Sequence, residues 1–243
     1  MHALVLQHLP IEHPGIFRDF MRADGSTWDT VELDHGETIP DFDRYDAMIV
    51  MGGPMDVFEE EDFPWLITEK NAIQQWVKHV GKPYLGICLG HQLLGEALGG
   101  TVQTMQVPEV GLYDVSFTDD GLADPLMQGL SEKIRCLQWH SCEITSLPPG
   151  STVLARSPGC AYQSIRVGRH AYGLQYHVEL TRDTVPEWAD VPAYADSLEQ
   201  ILGSGGAAQL QRDADAAISN FNRDARVLYD NFSGIVAAAT PDS

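Results

Sequence analysis

The sequence predicts an α/β fold with a mostly parallel open sheet flanked by helices, and three patterns predict it. Short apolar runs at 3–6, 30–33, 47–51 and 84–88 alternate with helix-like stretches. Strands that alternate with helices imply βαβ units around a parallel sheet. A glycine-flanked turn follows the fourth run, and beyond Arg182 the apolar residues keep a helical spacing.

Taken in order, Ala3-Leu4-Val5-Leu6 reads as a first strand. The stretch from Trp65 to Val80 carries Ile67, Ala72, Ile73, Trp76, Val77 and Val80 at helical spacing. Leu89, Leu93, Leu94, Ala97 and Leu98 mark a second helix directly after the fourth strand. From 101 to 180 the pattern changes to shorter, turn-punctuated strands at 102–105, 112–117, 134–138, 152–155, 161–166 and 171–176, with Pro148-Pro149-Gly150 as a turn. Gly203-Ser204-Gly205-Gly206 then breaks the chain before a helix bearing Leu210, Ala214, Ala217, Phe221, Ala225, Leu228 and Phe232, one face of which should pack on the body. The expected organisation is one domain over 1–182 and a helical C-terminal extension over 183–243 packed on it. There is no internal repeat and no low-complexity segment.

Composition narrows the function. A chain of 243 residues with 44% hydrophobic content can bury a sizeable core. No apolar run approaches the ~18 residues of a membrane span. Met1 to Leu6 lacks a basic leader region, so a cytoplasmic location is expected. Acidic residues number 35 against 15 basic, for a net charge of −20, which argues against a nucleic-acid partner. Glu59-Glu60-Glu61-Asp62 reads as a solvated acidic lip, because consecutive loop positions point in different directions. Four cysteines without a C-x-x-C pair, and nine histidines without H-E-x-x-H spacing, make neither a disulfide scaffold nor a structural zinc site.

The chemistry concentrates between Pro83 and Gln92. Cys88 stands where an apolar run breaks into a helix, with Gly86 and Gly90 two residues to either side. This is the cysteine version of the G-x-S-x-G nucleophile elbow. The turn exposes the sulfur at a helix N-terminus, where free N–H groups and the dipole favour a thiolate. A thiolate nucleophile needs a proton carrier and a group to orient it. His177, at the end of an apolar run, and Glu179, two residues on and on the same face of an extended segment, supply both. His91 follows Cys88 by three, and helical geometry makes it a neighbour of the sulfur rather than its base. Histidine before carboxylate, almost adjacent, also argues against a thiol α/β-hydrolase, whose order is nucleophile, acid, histidine.

Gly-Ile-Cys-Leu-Gly-His-Gln, Met51-Gly52-Gly53-Pro54-Met55 and Tyr176-His177-Val178-Glu179 together resemble a class I (triad) glutamine amidotransferase domain, similar to stand-alone relatives of the glutaminase domain of GMP synthetase. The resemblance runs from Met1 to about Arg182 and implies a flavodoxin-like sheet with a Cys88–His177–Glu179 triad. It also implies that Gly53 and Leu89 give backbone N–H groups to an oxyanion hole, and that Gly52 beside them is a substrate contact. It makes Gln92 a substrate-amide contact and places His140 in the wall of the glutamine pocket. Valine stands between His177 and Glu179 where relatives usually have proline. No S-G-G-x-D-S, P-loop or G-x-G-x-x-G pattern is present, so this chain is not expected to make GMP by itself.

The function expected from these readings is hydrolysis of the side-chain amide of L-glutamine through a γ-glutamyl thioester, with no metal or organic cofactor, and with ammonia passed to a synthetase partner in trans. Two rivals remain: a hydrolase of γ-glutamyl peptides or amines, and a catalytically silent regulatory or binding subunit.

Overall fold

Strands that are apolar on both faces need a layer of helices on each side. Ala3-Leu4-Val5-Leu6 and Ala47-Met48-Ile49-Val50 are of this kind, and every one of these residues is buried. A computed structural model describes residues 1–239. Its first half runs β1 (His2–Gln7), α1 (Phe17–Asp24), β2 (Thr27–Glu32), β3 (Ala47–Val50), α2 (Trp65–Gln75), β4 (Tyr84–Ile87) and α3 (Leu89–Ala97). It continues through β5 (Thr101–Phe117), α4 (Asp119–Ala123), β6 (Lys133–Ser146), β7 (Ser151–Arg156), β8 (Ser164–Val167) and β9 (Ala171–Leu174). Three helices follow: α5 (Thr184–Ala189), α6 (Pro192–Leu202) and α7 (Gly206–Ala239).

All nine strands join one sheet in the order β2-β1-β3-β4-β9-β8-β7-β5-β6. The pairings from β2 through β9 are parallel, and those from β9 to β6 are antiparallel. The shorter β segments therefore extend the main sheet. β9 is the joint between its two halves, so the chain just beyond β9 emerges beside the C-terminal end of β4. Ligand sites of open α/β sheets form at such ends.

The period-two alternation of the strands sorts the core into two layers. Ala3, Val5, Ala47, Ile49, Leu85 and Ile87 pack with Phe17 and Met21 of α1 and with Leu228, Tyr229 and Phe232 of α7. Leu4, Leu6, Met48, Val50 and Tyr84 pack on the other face with α2 and α3. A third cluster joins Val110, Leu137 and Trp139 of the β5–β6 hairpin to Trp188, Tyr194, Leu198, Ile218 and Phe221 of the last three helices.

Several boundaries move from the sequence expectation. Runs 102–105 and 112–117 are one long strand, β5, kinked by a register shift between Thr104 and Glu109. The edge strand β2 begins at Thr27 and Leu33 leaves it in a 3₁₀ turn, so the first half of this strand is more polar than a buried one. α2 loosens at Trp76 into a π turn ending at Gly81. On α7, Ile218 is buried where Ala217 is only partly so. The inward stripe runs Leu210, Ala214, Ile218, Phe221, Ala225, Leu228 and Phe232. Ile218→Ala should therefore cost about 2–5 kcal/mol in urea unfolding. Ala217→Ser should stay within about 0.5 kcal/mol, and the reverse ranking would contradict this helix register.

Candidate active site

The turn between β4 and α3 is built from one strained residue and two indispensable glycines. Cys88 has φ 51° and ψ −105°, and among the described residues it alone is non-glycine with positive φ. Such conformations cost about 1–3 kcal/mol and persist only where the surroundings enforce them. A β-carbon on Gly86 would lie 2.3 Å from the Gly90 carbonyl oxygen, and one on Gly90 would lie 2.2 Å from that of Val50. The helix start is therefore pressed directly onto β3 and β4. Cys88 N–H donates to the Leu174 carbonyl at 2.8 Å, tying the turn to the end of β9.

His177 lies three residues past β9. It exchanges backbone hydrogen bonds with Leu137 of β6 at 2.9 and 3.2 Å. Its ring Nδ1 meets Glu179 Oε1 at 2.6 Å, and the Cys88 sulfur lies near enough to favour a proton on the ring. Burial by itself lowers the affinity of His177 for a proton. The Glu179 carboxylate, followed by the Cys88 sulfur, outweighs burial and holds the imidazole well above its ordinary range. Glu179 is fixed in turn by the Val178 N–H at 2.9 Å. Gly15 packs so closely on the Glu179 backbone that no β-carbon fits there. Trp188 of α5 meets the His177 ring edge-on at 4.7 Å.

The remaining expected residues divide into wall and support. Gly53, Cys88, Leu89, Gln92 and His140 line one small cavity of about 80 Å³ together with Asp56, Trp139, Tyr194 and Ser197. Among the described residues, the N–H groups of Gly53 and Leu89 have no protein acceptor. Gly52 lies behind the cavity, and its carbonyl accepts from His8 Nδ1 at 2.7 Å. Gln92 donates to the Cys142 carbonyl at 3.0 Å and to Gln175 Oε1 at 3.1 Å, while Gln175 Nε2 reaches the Cys88 sulfur at 3.7 Å. Both ring nitrogens of His140 are committed, one to the Cys142 carbonyl and one to Glu109. His91 packs against Gly173 of β9, and burial lowers it to about 3, so it is a neutral ring at physiological pH.

Four side chains packed around Cys88 and His177 escaped the sequence reading. Gln175 stands two residues before His177 in the run Gly-Leu-Gln-Tyr-His, and that place was the available signal. Glu12, Tyr194 and Ser197 belong to no motif and arrive through tertiary packing. Among the described residues no group of three or more His, Cys, Asp or Glu is arranged to hold a metal ion, and no helix is long and apolar enough to cross a membrane.

The strained Cys88 turn thus faces the paired His177 and Glu179 side chains at the C-terminal edge of the parallel strands. Residues 20–186 match the family model for glutamine amidotransferase class-I. The chain belongs to the class I glutamine amidotransferase family. It is similar to a glutamine-hydrolyzing GMP synthase subunit of Sulfurisphaera tokodaii, with 37% identity over 56% of this chain and 68% of that protein. It is also similar to gamma-glutamyl peptidase 3 of Arabidopsis thaliana, with 27% identity over 72% of each. A crystal structure of a glutamine amidotransferase from Thermotoga maritima superposes with a TM-score of 0.85 and 28% identity, covering 96% of this chain and 97% of that one.

The four thiols of this family member differ sharply in surroundings. Burial pushes Cys136 far up and raises Cys142 and Cys160 to about 12 each. Only Cys88 sits at the start of an α-helix beside an imidazole. A glutamine-analogue electrophile at neutral pH should modify Cys88 alone, as read by peptide mass mapping. Modification of Cys142 or Cys160 with Cys88 untouched would remove the sulfur from the chemistry.

Proposed function

We propose that this chain hydrolyses the γ-amide of L-glutamine to glutamate and ammonia through a thioester on Cys88, and that the ammonia serves an acceptor enzyme. The observation that carries the reading is the strained Cys88 turn facing the His177–Glu179 pair. The Cys88 thiolate attacks the amide carbon, and the Gly53 and Leu89 N–H groups receive the charge that develops on oxygen. Imidazolium at His177 gives its proton to the departing nitrogen as the C–N bond breaks, which releases ammonia and leaves the acyl group on sulfur. The neutral ring then takes a proton from water, hydroxide adds to the thioester, and the C–S bond breaks to regenerate the ion pair. Glu179 holds the ring through Nδ1 in both halves. Supply of ammonia to a synthetase in trans follows the likeness to the GMP synthase subunit of Sulfurisphaera tokodaii.

Hydrolysis of a γ-glutamyl peptide or amine is the second reading, favoured by the likeness to gamma-glutamyl peptidase 3. The same steps apply with a larger leaving amine. That amine has to depart beside His177, on the side walled by Trp188 and Tyr194.

On purified protein, His177→Ala should lower turnover about 10²–10⁴-fold. Glu179→Gln should leave weaker but measurable activity, because that residue orients the ring without moving the proton in flight. A His177→Ala enzyme at full speed would end the proton-carrier role.

A panel of glutamine, γ-glutamyl peptides and γ-glutamyl amines, scored for ammonia or amine release with and without cell extract, separates the two substrate readings. Ammonia release from glutamine that rises with extract supports supply to a partner enzyme. Fast hydrolysis of a conjugate, above that of glutamine and indifferent to extract, replaces it with the hydrolase.

A further inference from the structure

Glu12, in the loop between β1 and α1, is a buried carboxyl that the mechanism above does not use; it is 1% exposed. Its Oε1 accepts from the Tyr194 hydroxyl of α6. Its Oε2 has no hydrogen-bond partner. That oxygen lies against Gly52, where a β-carbon would stand 2.7 Å from it and 3.3 Å from His177 Cε1. A buried carboxylate with an unpaired oxygen is costly unless positive charge lies near. The His177 ring, at the same small gap over Gly52, is the place for that charge.

We propose that Glu12 is a positioning residue for catalysis, whose carboxylate, held by Tyr194, stabilises the imidazolium form of His177 from the Cε1 side while Glu179 does so through Nδ1. This deepens the function proposed above and rests on its reading of His177 as the proton carrier. Burial pushes Glu12 above the ordinary carboxylate range, and His177 and then the Tyr194 hydroxyl pull it back. Two further groups act on Glu12: Glu179 raises it and His8 lowers it. His8 is itself paired with Glu69 of α2 at 2.9 Å. On the His177 side stand the Cys88 sulfur, Glu179 and the edge of Trp188. His13 lies near Glu179, next to Arg18. Glu12 and His177 thus exchange support: a proton on the ring favours the charge on Glu12, and that charge favours the proton on the ring.

The site consequently depends on α6. Tyr194 keeps its proton, because burial and then Glu12 raise it well above the usual phenol range. It is a fixed donor that orients the carboxyl. Charge on a loop after β1, protonation of a ring after β9 and the placement of a helix after 190 are linked in one buried contact.

Glu12→Gln keeps the shape and the acceptor for Tyr194 and removes the charge. The measurement is the rate of Cys88 alkylation by iodoacetamide between pH 5 and 9 (assay range of about four units, wide enough for a shift of 1–3), with melting temperature recorded alongside. The pH of half-maximal alkylation should rise by about one unit in Glu12→Gln. It should rise less in Tyr194→Phe, which keeps the carboxyl but frees it, and Glu12→Asp should return part of the wild-type profile. A Glu12→Gln profile superimposed on wild type overturns the proposal even if stability falls, since a packing role would leave the profile in place. Alkylation requires no turnover, so Glu12 is judged whether or not glutamine is the substrate. His177→Ala serves as the separate control: if its profile also matches wild type, the proton-carrier reading itself is lost.

Discussion

The whole site depends on one backbone constraint, the reversal of the chain at Cys88 between β4 and α3. A side chain held at φ 51° is stable only because its surroundings leave no alternative. Those surroundings are the carbonyls of Val50 and Gly90, which come too close to Gly90 and Gly86 for any β-carbon. The tight seating of α3 on the sheet then directs the sulfur to the C-terminal edge of the parallel half. There β9 ends and delivers His177. Register between β4 and β9, which pairs Ile87 with Leu174, sets how Cys88 and His177 face each other. A one-residue slip would turn the strand's side chains to the opposite face.

Around this turn the interior is unusually polar, and its polar groups are mostly matched. His8 with Glu69, His140 with Glu109, and His177 with Glu179 are each buried hydrogen-bonded pairs. Breaking one partner of such a pair leaves an uncompensated buried charge, which costs far more than the pair contributes. The pairs also join separate elements: α2 to β1, and β5 to β6. They orient the shell around the cavity as packing alone would not. The surface carries the chain's excess acidity instead, in residues such as Glu61 and Asp62.

The C-terminal helices are part of the same arrangement. Trp139 of β6 donates from its indole to Ser197 of α6 at 2.9 Å. Trp139, Trp188 and Tyr194 contact one another through their rings. An aromatic trio of this kind buries a large apolar area and fixes ring orientation. Two of its members, Trp139 and Tyr194, line the cavity beside Cys88. The family relationship speaks to residues 20–186, whereas Tyr194 and Ser197 at the cavity belong to a helix beyond that span.

Local sequence determined a good deal of this protein. The apolar runs marked the strands of the parallel half, the helical spacing marked α2, α3 and α7, and the Gly-x-Cys-x-Gly turn marked the site. These were legible because strand period, helix period and tight-turn chemistry act between residues a few positions apart. His177 and Glu179 were legible for the same reason, being neighbours in one extended segment. Tertiary structure alone decided that the shorter strands would extend the same sheet, since which edges pair depends on contacts distant in sequence. It also decided that Ile218 would be buried beside a half-buried Ala217, because the first half of α7 packs on α5 and α6 and the second half on the sheet. Above all, it brought Glu12, Gln175 and Tyr194 beside Cys88 and His177. Their surroundings are set by burial and by the groups beside them, and neither exists until the chain has folded.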